Sequence, residues 1–209
     1  MMIAKHIKYT AYSIIAFLLL GLGISLQIKA GIGQSMLNAF ALTLAELFHL
    51  EVGTMLNILN ILFFITYILI RKTNFESRDV IQILATIANG YIINFFVYYV
   101  FADFAIDSYL LRVLTFLLGL CLASASLGAV LAIEIIRFPL ESLCVVLCQK
   151  LNKNLTTVRM RFDMLFLFST LVISLISGNT IFIREGTVIS FLLLSRLMGL
   201  TYYFLKNRI

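Results

Sequence analysis

The chain has 209 residues, of which 62% are hydrophobic and 12% are charged. Soluble domains contain about 45–50% apolar and about 25% charged residues, so this composition excludes an ordinary soluble protein and indicates an all-α integral membrane protein. The net charge of +6 does not require nucleic acid as a partner, because basic residues accumulate on the cytoplasmic side of membrane spans.

Six apolar segments are long enough to cross a bilayer core of about 30 Å, which requires about 20 apolar residues per helix. The predicted spans are residues 10–28, 52–71, 79–101, 110–134, 157–178 and 186–205. Lys5, His6 and Lys8 precede the first span, as basic residues do in a secretory signal. Because the apolar run continues to Ile28 without a small-x-small cleavage site, an uncleaved span is the preferred interpretation.

Two shorter apolar segments, residues 35–49 and 139–150, lie between the spans. Both are too short for a full crossing and suit re-entrant or interfacial helices. If both segments return to the side from which they enter, the chain has six spans. If both cross, it has eight.

The distribution of basic residues favours six spans with both termini in the cytoplasm. In that topology three basic residues lie outside (Lys29, Arg112 and Arg184), and Arg196 falls near the middle of the last span. The others lie at the cytoplasmic face: Lys5, Lys8, Arg71, Lys72, Arg78, Arg137, Lys150, Lys153, Arg159, Arg161, Lys206 and Arg208. An eight-span chain would export Arg71, Lys72 and Arg78, against the positive-inside rule.

The order of elements is repeated within this single membrane domain of residues 1–209. Each repeat, at about 10–101 and about 110–205, contains a span, a short apolar segment and two further spans. At an offset of 103 residues, Asn38 aligns with Glu141 and Asn60 with Asp163. Three spans are an odd number, so the second repeat enters the membrane from the opposite side, as in the inverted repeats of secondary transporters.

Both short segments begin with residues that start helices. Ser35 is a good N-cap after a turn permitted by Gly31 and Gly33, and Pro139, the only proline in the chain, suits the first helical position. We expect both N-terminal turns to face a shared polar cavity. Their free N–H groups and helix dipoles would there favour an anionic or carbonyl-bearing group.

The stretch from Leu18 to Leu59, with its echo from Phe138 to Asp163, resembles the bacterial YczE/YyaS/YitT group of multi-pass membrane proteins. That family usually has a Trp-Asp pair where this chain has Leu37 and Asn38, and an Ile-Asp pair where it has Leu140 and Glu141. Its Gly-rich GxGT motif is reduced to REGT at 184–187. The resemblance implies a fold and a location in the bacterial cell membrane rather than an activity.

Charged residues within the spans are the strongest functional candidates. An ionised side chain at the bilayer centre costs at least about 2.5–3.5 kcal/mol on insertion scales, so it usually faces the bundle interior and finds a partner. Arg196 either locks helices through Asp163 or Glu134 or binds a substrate or ion. Arg159 and Asp163 are four residues apart and can pair along one helix face.

Other polar residues have a simpler structural explanation. Asn57, Asn60, Gln82, Thr86 and Asn89 follow helical spacing, which favours hydrogen bonds between helices. Three cysteines, Cys121, Cys144 and Cys148, are too few for a disulfide scaffold, and no histidine lies near them to complete a metal site. We therefore expect no metal and no cofactor, and the absence of a nucleophile–base pair argues against an enzyme.

The inverted repeat and the two short helices favour a secondary transporter of a small anionic or carbonyl-bearing solute. A substrate-capture subunit of a larger importer and an accessory or scaffold protein stay open as alternatives. Expected partners are the lipid bilayer and the solute, with a homo-oligomer or a partner membrane protein left open. The candidate substrate-binding residues are Gln34, Asn38, Glu134, Arg137, Glu141, Asp163 and Arg196.

Overall fold

The computed structural model of the protein describes the backbone of residues 2–72, 77–133, 138–178 and 180–207. Within those ranges it describes all side chains except those of residues 2–11, 77, 78 and 156. The described chain is helical and contains the following elements: α1 Met2–Ala30, α2 Met36–Phe48, α3 Val52–Arg71, α4 Ser77–Asn94, α5 Tyr109–Ile133, α6 Pro139–Leu151, α7 Leu155–Ser177 and α8 Glu185–Lys206. A π-helical segment, Phe95–Val100, continues α4.

Six of these helices, α1, α3, α4, α5, α7 and α8, are long and apolar enough to cross a membrane. They coincide with the six predicted spans to within a few residues at most ends, so the prediction of an all-α multi-pass membrane protein is confirmed. The chief difference is at the N-terminus, where α1 already begins at Met2. Large apolar side chains are exposed along the outside of the spans, and the bilayer is the medium that suits such a surface.

The short helices α2 and α6 have 13 residues each, which at 1.5 Å per residue gives about 20 Å. That is less than the bilayer core of about 30 Å. Both follow an extended N-cap, Ser35 or Phe138, and both end at a residue in the left-handed conformation, His49 or Asn152. The two helices therefore match in length and in both ends at the predicted offset of 103 residues.

Helices α1 and α5 cross at the centre of the bundle, where glycines remove the side chains between them. A Cβ atom at Gly119 would lie 2.6 Å from the carbonyl oxygen of Gly23. A Cβ atom at Gly23 would lie 2.7 Å from the backbone nitrogen of Ala123. Small residues thus permit the two helices to pack closely here.

The outer helices surround this central pair in a pattern that is nearly unchanged when the two halves are exchanged. Helix α4 packs on α1 as α8 packs on α5, and α6 packs on α3 as α2 packs on α7. One contact lacks a counterpart, because α3 packs against α4 whereas α7 and α8 do not touch within the described residues. The inverted orientation of the two halves stays a prediction.

The C-terminal part of α4 and its π-helical extension cap the start of α3. The Gly53 N–H donates to Asn94 Oδ1 at 2.6 Å, and the Val52 N–H donates to the Tyr98 hydroxyl at 3.1 Å. Asn94 Nδ2 in turn donates to Glu51 Oε2 at 2.7 Å. These bonds satisfy backbone donors that the first turn of a helix cannot pair internally.

Candidate functional site

A cavity of about 130 Å³ lies between the first turns of the two short helices. Ser35, Leu37 and Asn38 at the start of α2 line it, as do Phe138, Leu140 and Glu141 at the start of α6. All six spans contribute further lining residues. The N-terminal turns of the two short helices therefore line one cavity, as the sequence predicts; that the cavity binds a ligand stays a prediction.

The local sequence leaves backbone donors open at these turns. Neither Ser35 nor Phe138 makes a side-chain capping hydrogen bond, so the first N–H groups of both helices keep their hydrogen-bonding capacity. Gly33, with a φ of +120°, brings the chain into α2. A Cβ atom there would lie 2.7 Å from the Thr187 backbone nitrogen, so only glycine fits this close approach.

An ion cluster joins α6 and α7 at the wall of this cavity. Arg159 Nη1 donates to Glu141 Oε1 at 2.6 Å, and Arg159 Nε lies 3.4 Å from Asp163 Oδ1. Arg159 and Glu141 line the cavity itself, whereas Asp163 lies behind Arg159. Two carboxylates thus surround one guanidinium, and Arg159 already has anionic partners within the protein.

Three amide oxygens on the wall have no hydrogen-bond donor within the described residues: Gln27 Oε1, Asn57 Oδ1 and Asn89 Oδ1. Gln27 is 1% exposed and Asn89 is 7% exposed. Gln27 Nε2 donates to the Gly23 carbonyl at 3.4 Å and Asn57 Nδ2 to the Ile87 carbonyl at 3.1 Å, which fixes both amide orientations. A buried acceptor without a donor is unfavourable, so these oxygens favour a donor from water or a bound solute.

The structure brings only some of the predicted site residues to the cavity. Asn38 and Glu141 line it. Asp163 does not line it, but it pairs with Arg159, which does. Gln34 is buried in the turn before α2, where its N–H donates to Thr187 Oγ1 at 3.2 Å, and it does not line the cavity. Glu134 and Arg137 lie outside the described residues.

The prediction that Arg196 lines the cavity is not met by the structure. Its side chain is exposed on the outer surface of α8, while the neighbouring Leu194 faces the cavity. Arg196 lies near the middle of α8, as its position in the predicted span implies, but position along a helix does not determine which side of the helix a residue occupies.

Sequence reasoning assigned Gln27 no role and gave Asn57 and Asn89 only structural ones. Asn57 does form the expected bond between helices, since its amide nitrogen bonds to α4. Its oxygen is the part that stays unpaired. The signal available in the sequence was the occurrence of amide side chains at the same depth in three spans, and it could not show which amide atoms would be satisfied.

The model of a protein family described as a family of unknown function (DUF6198) matches residues 7–202, which is nearly the whole length of the chain. The chain belongs to this family. No curated protein and no solved structure matches it. The resemblance of this DUF6198 member to the YczE/YyaS/YitT group stays a prediction.

Proposed function

We propose that the protein is a secondary transporter of a small, neutral polar solute that carries both a carbonyl oxygen and N–H groups. The observation that carries this proposal is the set of unpaired amide oxygens of Gln27, Asn57 and Asn89 in a cavity shared by both short helices. These oxygens would accept from the N–H groups of the solute. Its carbonyl would accept from the open backbone donors at the starts of α2 and α6.

This solute class is narrower than the anionic or carbonyl-bearing class expected from the sequence. Arg159 is the cation on the described wall, and it is already paired with Glu141 and Asp163. An added anion would therefore meet a cluster of three charges whose formal sum is negative. A neutral amide-like solute avoids this repulsion and still uses both donors and acceptors.

Transport rather than catalysis is supported by the chemistry of the wall and by its helices. In the described part of the lining, no serine, threonine or cysteine is hydrogen-bonded to a histidine or carboxylate that could activate it. Cavities formed by short or interrupted helices at a repeat interface are typical of secondary transporters. The proposal includes the bacterial cell membrane as the location, with both termini in the cytoplasm.

A substrate-capture subunit or an accessory membrane protein is the second candidate. The exposed side chain of Arg196 favours it, because a charge facing lipid in mid-span suits a chain that works beside another membrane protein. The two candidates share the cavity and differ in whether the chain moves its solute alone.

Thermal unfolding of the purified protein with propionamide, propionate or propylammonium tests the solute class, because the three compounds share a carbon skeleton. We expect propionamide to raise the unfolding midpoint more than the two ions do. Gln27→Leu and Asn89→Leu should abolish that rise. Thr170→Val is the matched control, because the Thr170 hydroxyl is also buried and without a hydrogen-bond partner among the described residues but does not line the cavity.

Counterflow of labelled propionamide in liposomes that contain only this protein then tests transport. Binding without flux would favour the capture-subunit alternative. Equal stabilisation by all three compounds, or stabilisation that survives both Leu substitutions, would contradict the proposed site.

A further inference from the structure

The outer surface of α8 carries a charge that none of the described residues neutralises. Arg196 is exposed, and none of the described residues accepts a hydrogen bond from it or pairs with its charge. Its neighbours on this surface are apolar and largely exposed: Val188 at 58%, Leu192 at 52%, Leu200 at 69% and Tyr203 at 68%. We call this surface, Val188, Leu192, Ser195, Arg196, Gly199, Leu200 and Tyr203, the Arg196 face.

The depth of Arg196 makes this exposure unfavourable in lipid. It lies 11 residues after Glu185 and 10 before Lys206 in α8, so at about 1.5 Å per residue it is near the middle of the span. The half-thickness of the hydrocarbon core, about 15 Å, exceeds the reach of an arginine side chain. Charges at this depth normally face a bundle interior and have partners, whereas Arg196 faces outward and has no partner among the described residues.

The apolar residues of the Arg196 face are compatible with exposure to lipid, but its small residues indicate a contact with another helix. Glycines Gly21, Gly23, Gly53, Gly90, Gly119, Gly128 and Gly186 lie in helices, and each has a neighbour within 3.0 Å of the position of a Cβ atom. Gly199 is the exception among the described helical glycines, since nothing lies within 4 Å of that position. With Ser195, it gives the small-xxx-small spacing at which transmembrane helices approach closely.

Helix α4 shows what the same spacing does when it is covered. There Thr86 and Gly90 are four residues apart, and the side chain of Asn57 from α3 packs onto Gly90. The equivalent neighbour of α8 would be α7, but α7 does not touch α8 within the described residues. The Arg196 face has no such cover, because nothing lies within 4 Å of the position of a Cβ atom at Gly199, and this surface is open to a helix from outside the chain.

We propose that the Arg196 face binds a transmembrane helix of a different membrane protein that carries a carboxylate near its midpoint. That carboxylate would accept from the Arg196 guanidinium, and the partner backbone would pack over Ser195 and Gly199. A second copy of this chain fits less well, because a two-fold contact through this face would set Arg196 against Arg196. None of the described carboxylates lies exposed at mid-span depth in a second copy to replace it.

The test uses the full chain, labelled with a fluorophore, in phosphatidylcholine liposomes with labelled model helices. One model helix is a Leu/Ala transmembrane peptide with a central aspartate, and the others have a central leucine or lysine. Central placement makes the orientation of the peptide immaterial. We expect energy transfer to report association about tenfold tighter with the aspartate peptide than with the leucine peptide.

Three variants identify the source of this preference. Arg196→Leu should remove it without loss of folding, because Arg196 makes no hydrogen bond or ion pair with the described residues. Arg196→Glu should transfer the preference to the lysine peptide, and Gly199→Leu should weaken aspartate-peptide binding by filling the space beside Arg196. In the matched control, Arg196→Leu is combined with Leu62→Arg, which moves the arginine to an exposed mid-span position of α3.

Equal binding of the aspartate and leucine peptides would overturn the proposal, as would full recovery of aspartate-peptide binding by the relocated arginine. Energy transfer between two labelled copies of the wild-type chain that is lost in Gly199→Leu would also overturn it, because a second copy would then cover the face. Since Gln27 and Asn89 play no part in this surface, the propionamide assay is independent of each of these outcomes.

Discussion

At the level of single residues, Arg159 links two helices, because it pairs with Glu141 of α6 and with Asp163 of its own helix, α7. The two carboxylates are not equivalent. Glu141 makes the shorter contact and lines the cavity, whereas Asp163 is one helical turn from Arg159 on the same helix. With either carboxylate removed the cluster still contains one cation and one anion, but without Arg159 two carboxylates lie close together.

Replacing Arg159 is therefore expected to cost more stability than replacing Glu141. Arg159→Gln should lower the free energy of unfolding by about 1–3 kcal/mol, as expected when charged hydrogen-bonding groups lose their partner. Glu141→Gln should cost less, because Arg159 keeps Asp163. Thermal unfolding of the purified variants measures both, with the exposed neighbour in Arg161→Gln as the control. A larger loss in Glu141→Gln would contradict this account of the cluster.

The pairing of Arg159 with Asp163 could be predicted from sequence because both residues lie on one helix, four positions apart. Glu141 could not be added, since its contact depends on how α6 packs against α7. Arg196 failed for another reason. Most residues of α8 are apolar, and since lipid is as apolar as the bundle interior, hydrophobic periodicity does not distinguish the two sides of a membrane helix.

At the level of the helices, the glycines of this chain have different roles because some lie where two helices cross and others do not. Gly119 of α5 and Gly199 of α8 both lie within spans. A Cβ atom at Gly119 would lie 2.6 Å from the backbone oxygen of Gly23 and 3.1 Å from the backbone nitrogen of Gln27, whereas one at Gly199 meets nothing. Replacing each of these glycines by alanine thus distinguishes the effect of close helix packing on stability from the effect of helix propensity.

Gly119→Ala is expected to destabilise the protein, because the α1 backbone cannot move away without separating the central pair. Overpacking of this kind costs about 1–3 kcal/mol. Gly199→Ala in the purified protein should be neutral or slightly stabilising, since alanine is the better helix former. Unfolding midpoints in detergent measure both effects. Equal losses in the two variants would show that the α1–α5 crossing does not depend on Gly119.

The helices were largely predictable from the sequence, because the lipid bilayer restricts the length and composition of the segments that cross it. Lipid requires about 20 apolar residues for each crossing, so the lengths of the apolar runs determine the spans. The offset of 103 residues likewise located both short helices, and His49 and Asn152 end them in the same conformation. The π-helical segment at Phe95–Val100 was not predicted, because its contacts to the start of α3 come from tertiary packing.

If the six long helices alone cross the membrane, both ends of the whole molecule lie on one face, and the positive-inside rule predicts that this face is cytoplasmic. Lys72, Asp103 and Asn152 are exposed residues outside the helices and can be tested as single cysteines in a chain without its three native cysteines. We expect an impermeant maleimide to label Asp103→Cys in intact cells. Lys72→Cys and Asn152→Cys should react only after permeabilisation, whereas labelling of Lys72→Cys from outside would contradict the topology.

The near-equivalence of contacts after exchange of the two halves bears on how the molecule would work. If the halves are inverted, the same packing can open the cavity toward either face, because each half can adopt the arrangement of the other. Leu37 in the first turn of α2 and Leu140 in the first turn of α6 are separated by the repeat offset, and both line the cavity. They are therefore matched reporters of access from the two faces.

Alternating access predicts reciprocal labelling of these two positions. In the chain without native cysteines, propionamide should raise the maleimide reaction rate of Leu37→Cys and lower that of Leu140→Cys, or the reverse, because a cavity that opens to one face closes to the other. Impermeant maleimide applied to right-side-out and inside-out vesicles measures the two rates, and Asp103→Cys in the loop after α4 should not respond. Rates that change in the same direction would contradict alternating access. Rates that do not change while propionamide still stabilises the protein would favour a capture subunit, in which the cavity holds the solute and another protein completes its transfer.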